Sequence, residues 1–286
     1  MKNYISIFFA FLMLPLIGIA QESNVEKDTV VKVKEKLERP AFESSNIIDN
    51  PTNVVLSKNT LEVQMNHRFG TLGSWEDLGG IWAPANIRLG AAYGVHERVT
   101  LGFGTIKNKR YQELNWKAAL LRQTRSEKMP ISLTYYGNFA YDARVQENTN
   151  FNYHQDRYSY FHQLILVRRF SPEFSVQATG SVSHYNTVDV MMRNDMLAFS
   201  LGGRYKISPN TSILIDYSQP ITKFKDHNPN PGFSLGVEFG TSAHAFQIFV
   251  SNYQGILPQE NYVYNSNDFF DGDVLLGFTI TRLYNF

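Results

Sequence analysis

The side chains most able to do chemistry here are histidines with serine or acidic neighbours. In "FSVQATGSVSHY" (174–185), Ser181 and Ser183 stand beside His184. A lipid-cleaving barrel enzyme would need a serine oxygen close to a histidine nitrogen that takes its proton. The stretch alternates, however, and neighbouring side chains of a strand point to opposite faces. Ser183 and His184 therefore cannot form a dyad directly, and His184 could meet a serine only across strands. His67, His162 and His244 also lie in alternating stretches, and all four read best as interfacial or lumenal hydrogen-bonding groups. Metal chemistry is no better served. His154, Asp156 and His162 in "NYHQDRYSYFH" have no compact ligand spacing. Asp271 and Asp273 in "FFDGD" are too few for a calcium loop and read as the turn into the last strand. "GTLGSWEDLGG" lacks the spacing of a phosphate cradle. The sequence therefore assigns no catalytic residue, no metal ligand and no cofactor site.

What must be explained instead is the alternation itself. "TLEVQMNHRFG" sets Leu61, Val63, Met65, His67 and Phe69 against Glu62, Gln64, Asn66 and Arg68. The same rhythm returns in "NIRLGAAYG", in "RVTLGFGT" and in nine later stretches, the last being "VLLGFTITRLYNF" (274–286). That makes twelve predicted strands over residues 59–286. The connections are sorted by length. Links such as "VHE", "SPE", "SPN" and "SA" alternate with long loops such as "TLGSWEDLGGIWAPA", "DARVQENTNFNYHQDRYS" and "YQGILPQENYVYNSNDFFDG". A β-sandwich has no reason to sort its loops in this way. An antiparallel transmembrane β-barrel has one, with turns in the periplasm and long loops outside. Closure is expected because an open sheet edge in lipid leaves backbone groups unpaired.

The composition agrees. Net charge is +1 and 14% of residues are aromatic, which argues against a nucleic-acid binder. Mean hydropathy is slightly negative, as expected when polar and apolar faces average out. "MKNYISIFFAFLMLPLIGIA" has a lysine near its start, a short apolar run and small residues at Gly18 and Ala20, so residues 1–20 read as a secretory signal peptide. There is no cysteine, hence no disulfide and no lipid anchor. Residues 21–58 are charged and then turn-rich, and are expected to form a mostly irregular, solvated periplasmic leader. At the other end, Tyr284 and Phe286 are similar to the terminal signal by which the barrel-assembly machinery recognises outer-membrane barrels. Arg282 departs from that pattern, but can snorkel to the headgroups.

Several stretches carry a more specific likeness: "FESSNIIDNPT", "HRFG", "ANIRLGAAYGVHERVTLGFG", "LLRQT", "FQIFVSNYQGI" and the closing strand. Over about residues 40–286 the chain resembles the Bacteroidetes-type outer-membrane β-barrel family known as domain of unknown function 5777. The resemblance implies the barrel fold and no particular chemistry.

Face assignment then yields a candidate lumen. Arg68, Arg88, Lys117 and Arg204 are expected to point inward with Glu62, Glu113, Asp216 and Glu238, and to pair with one another rather than line a strongly selective pore. Leu89, Trp116 and Leu201 are expected to meet lipid. The resulting expectation is a non-enzymatic barrel in the bacterial outer membrane, either a narrow passive channel for small solutes or a structural and surface barrel. A lipid-active enzyme and a ligand-binding barrel with aromatic outer loops are the alternatives. The expected partners are outer-membrane lipid, the assembly machinery and small solutes if the lumen is open, without nucleic acid.

Overall fold

A computed structural model describes residues 35–73, 76–145 and 151–286. The signal peptide predicted over residues 1–20 lies outside the described residues. Two short strands, β1 (Asn46–Ile47) and β2 (Asn50–Pro51), form a small hairpin. Twelve longer strands follow: β3 (Thr60–Thr71), β4 (Asn86–His96), β5 (Val99–Ile106), β6 (Gln112–Leu121), β7 (Ser132–Tyr141), β8 (Tyr158–Arg169), β9 (Phe174–Tyr185), β10 (Asp195–Lys206), β11 (Thr211–Pro220), β12 (Gly232–Gly240), β13 (His244–Ser251) and β14 (Leu275–Asn285). Each of the twelve pairs antiparallel with its chain neighbours, and β14 pairs with β3 to close a barrel. Every predicted strand has its counterpart among them. An α-helix, α1 (Pro258–Tyr264), stands in the connection between β13 and β14.

The two faces of each strand differ as a membrane barrel requires. Along β3 the burial alternates, with Glu62, Gln64, Asn66 and Arg68 inside and their neighbours outside. Leu89, Leu101, Leu114, Leu164, Leu201 and Ile248 are among the exposed outer residues. An exposed apolar belt of this kind would drive association in water and is satisfied by lipid. Aromatic rings mark both margins of the belt. Phe139, Tyr158 and Tyr141 cluster at the long-loop rim, and Phe170, Phe174 and Tyr205 at the short-turn rim. Amphipathic rings prefer such interfaces. At the end of β14, Arg282 lies over the Tyr284 ring, 4.8 Å from its centre.

The interior is full. The chain crosses the short-turn rim at a bridge between Leu37 and Thr124, and runs into the lumen. Ala41, Phe42, Ile47, Ile48, Asp49 and Asn50 are all buried there, and the chain returns to the same rim before β3. The expectation of a solvated periplasmic leader over residues 21–58 is thus corrected for residues 41–56, which lie inside the barrel. The apolar groups of the tip and the inward acceptors of the wall are what hold them there. From the opposite rim α1 also descends into the lumen, with Pro258–Val263 buried.

Candidate functional site

The lumen wall is built by the inward residue of each pair, so its chemistry follows directly from the alternation. All eight charged residues assigned to it, Glu62, Arg68, Arg88, Glu113, Lys117, Arg204, Asp216 and Glu238, project inward. They do not, however, simply pair with one another. Arg88 pairs with Glu113, and Arg204 with Glu238 at 3.1 Å. The other four are engaged by the hairpin.

Asp49, at the hairpin tip, is the centre of this engagement. Its Oδ1 accepts from Arg68 Nη2 at 2.8 Å, and both side chains are almost fully buried. Its Oδ2 accepts from the hydroxyls of Ser234 and Ser251. Asp216 accepts from Asn50 Nδ2 at 3.0 Å. Lys117 donates to the Ser45 carbonyl, and Ser45 donates to Glu62. Gln177 and Gln247 donate to the carbonyls of Pro51 and Asn46, both at 2.9 Å. Arg204 joins hairpin and wall, since it reaches Glu43 at 3.0 Å as well as Glu238. A buried hairpin this short cannot satisfy its own backbone, and the wall supplies what it lacks.

Apolar contact covers the rest. The inward faces of β8, β10 and β11 carry Phe161, Ile165, Met196, Ala198 and Leu214, which form one core with Ile47, Ile48, Tyr262 and Val263. At Gly202 the wall is thin: a Cβ there would stand 3.3 Å from Ile47 Cδ1. At Gly94 the returning chain passes so close that a Cβ would overlap the Ser57 carbonyl oxygen. The segments from the two rims touch each other. The Tyr262 hydroxyl donates to Asn50 Oδ1 at 2.5 Å, and the Tyr262 ring stacks on Phe161. Between hairpin and wall a cavity of about 50 Å³ remains beside Glu62, Arg88 and Lys117. That space suits a few ordered waters.

The catalytic and metal expectations can be placed as well. Ser181 and Ser183 are buried on the lumen side of β9, whereas His184 lies outside, bonded to Asp195 at 2.7 Å and to Asn186 at 3.1 Å. Among the described residues, no group of three His, Cys, Asp or Glu side chains could hold a metal ion. Sequence reasoning missed the lumenal segments. Ile47 and Ile48 inside a polar stretch, and Pro258 opening "PQENYVY" within a long loop, were the available signals. Asn265, within the long connection between β13 and β14, is buried and donates to the Asn230 and Asn267 carbonyls.

A closed twelve-stranded barrel with an apolar outer belt and a polar, filled lumen defines a membrane β-barrel. The chain belongs to the family described as membrane bound beta barrel domain (DUF5777), whose profile matches residues 42–284 and so spans the hairpin as well as the barrel. No curated protein sequence matches it. Among solved structures, the NanC porin aligns with a TM-score of 0.50 at 11% identity, over 79% of this chain and 99% of that one. A KdgM porin, and a KdgM porin in complex with disordered oligogalacturonate, align at 0.47 with 7% and 8% identity and the same coverage. At 11% identity the likeness to the NanC porin is one of fold.

Proposed function

We propose that this protein is a passive channel for small polar solutes in the bacterial outer membrane, closed here by the hairpin and α1. The observation that carries the reading is the independence of wall and filling. Every barrel strand is paired on both sides without help from either segment. Both segments can therefore leave without breaking a barrel ladder. Their departure would uncover Arg68, Lys117, Glu62 and Asp216 on a wall that water can solvate. A chemical role finds no comparable support, because Ser183 and His184 face opposite sides. The short-turn rim is assigned to the periplasm and the long-loop rim to the exterior.

Planar-bilayer recording tests this. The full chain is expected to show rare, brief openings. A variant lacking residues 35–58, with residues 257–264 replaced by a Gly-Ser linker, is expected to show sustained conductance. A variant that stays silent while remaining heat-modifiable would leave a purely structural barrel. Orientation is checked separately with a membrane-impermeant thiol reagent on intact cells, which should label Val190→Cys and miss Pro209→Cys.

A further inference from the structure

Beside α1, on the long-loop side, a pocket of about 200 Å³ opens between the helix and the β5–β6 turn. Its inner wall is made by Glu260 and Asn261, only 5% and 3% exposed. One oxygen of Glu260 is occupied: Oε1 accepts from Asn108 Nδ2 at 2.8 Å and lies 3.4 Å from Lys109 Nζ. The other oxygen, and both amide atoms of Asn261, are buried without a partner. Asn261 Oδ1 and Glu260 Oε2 pack against Gly255 in the wall of this pocket, so closely that a Cβ there would stand 2.4 Å and 3.1 Å from them. Leaving buried polar atoms unpaired costs about 1–3 kcal/mol each. Their concentration at one opening marks a place where a ligand supplies the missing bonds.

The groups select the ligand's chemistry. An anion would meet the free oxygen of Glu260 and be repelled. A metal ion would find one carboxylate, whose charge Lys109 already offsets. Hydroxyl groups fit, because each donates to one oxygen and accepts from an amide N–H. Lys109 Nζ covers the Tyr264 ring at 4.2 Å, so recognition must come from the hydroxyl edge rather than from stacking. We propose that this pocket binds one ring of a neutral saccharide through adjacent hydroxyl groups held by Glu260 and Asn261. The site stands whether or not the barrel conducts.

Saturation-transfer NMR on the full chain in lipid nanodiscs tests it, with D-glucose, D-galactose and D-mannose as probes. These sugars present both equatorial and axial neighbours among their hydroxyls. Transfer to at least one is expected, with affinity about tenfold weaker in Asn261→Ala, as for one lost bond at a desolvated group. Gly255→Ala, whose Cβ would push Asn261 Oδ1 aside without removing a polar group, should weaken binding similarly. Absence of transfer from all three sugars to the parent protein would overturn the proposal. So would unchanged affinity in both variants, each shown to be folded by heat-modifiability.

Discussion

The hairpin and α1 occupy one lumen from opposite rims, yet different forces hold them. Beyond the apolar contacts of Ile47 and Ile48, the hairpin is tied by a buried charge pair: Asp49 meets Arg68 where both are nearly sealed from solvent, and two serine hydroxyls complete the carboxylate's shell. The helix is held mainly by contact, with Tyr262 and Val263 against the apolar stripe led by Phe161. Gln259 adds a 2.8 Å bond to Asn138. A buried ion pair fails abruptly, because removing one partner strands the other. An apolar contact weakens in proportion to the area removed. The hairpin is therefore a latch and the helix a graded filling.

The absence of native cysteine makes this difference measurable. Ser44→Cys, at a position 1% exposed, reports release of the hairpin, and Asn265→Cys, 7% exposed, reports release of the helix segment. The largest effect is expected from Asp49→Ala, which leaves Arg68 charged and unpaired at a cost of about 3–5 kcal/mol. Labelling of Ser44→Cys should then rise by roughly two to four orders of magnitude, with a smaller rise at Asn265→Cys. Equal rises at both reporters would make hairpin and helix one cooperative unit and abolish the distinction. Val263→Ala comes next, at about 2 kcal/mol for the lost methyls and the cavity they leave. It should act on the Asn265→Cys reporter and spare Ser44→Cys.

Smaller effects resolve how far the segments communicate. Tyr262→Phe removes the hydroxyl that donates to Asn50 and should cost about 1 kcal/mol. A double-mutant cycle with Asn50→Ala should return a coupling of at least about 0.5 kcal/mol, and zero coupling would mean that the two leave independently. The smallest effect concerns pH. Burial raises the Glu260 carboxyl above its usual 4.5, opposed by Lys109 and Arg144 and reinforced by Asp142. Its protonated form is thus favoured in the docked helix. Docking should be strongest below pH 4.5 and weaken as pH rises through the elevated value. Labelling at Asn265→Cys, corrected for thiolate fraction, should increase with pH from 4.5 upward, and Glu260→Gln should flatten the trend.

Much of the barrel was legible because its signal is local. An inward Arg68 follows from an outward His67 and Phe69, and the same step of two residues placed Glu62, Lys117, Arg204 and Glu238 without knowledge of any neighbour. Loop lengths then ordered the rims, and closure followed from the cost of an unpaired edge. Residues 46–51 have no such rhythm. Their burial depends on partners far away in the chain: Asp49 on Ser234 and Ser251, Asn50 on Asp216 and Tyr262, Asn46 on Gln247. The charged wall was therefore readable as a set of inward side chains but not as a set of pairs. In a closed barrel, any inward group can face any segment that enters. Only the closed wall brings those acceptors and donors around one point, and only there does a short polar hairpin lose less by burial than by staying in water.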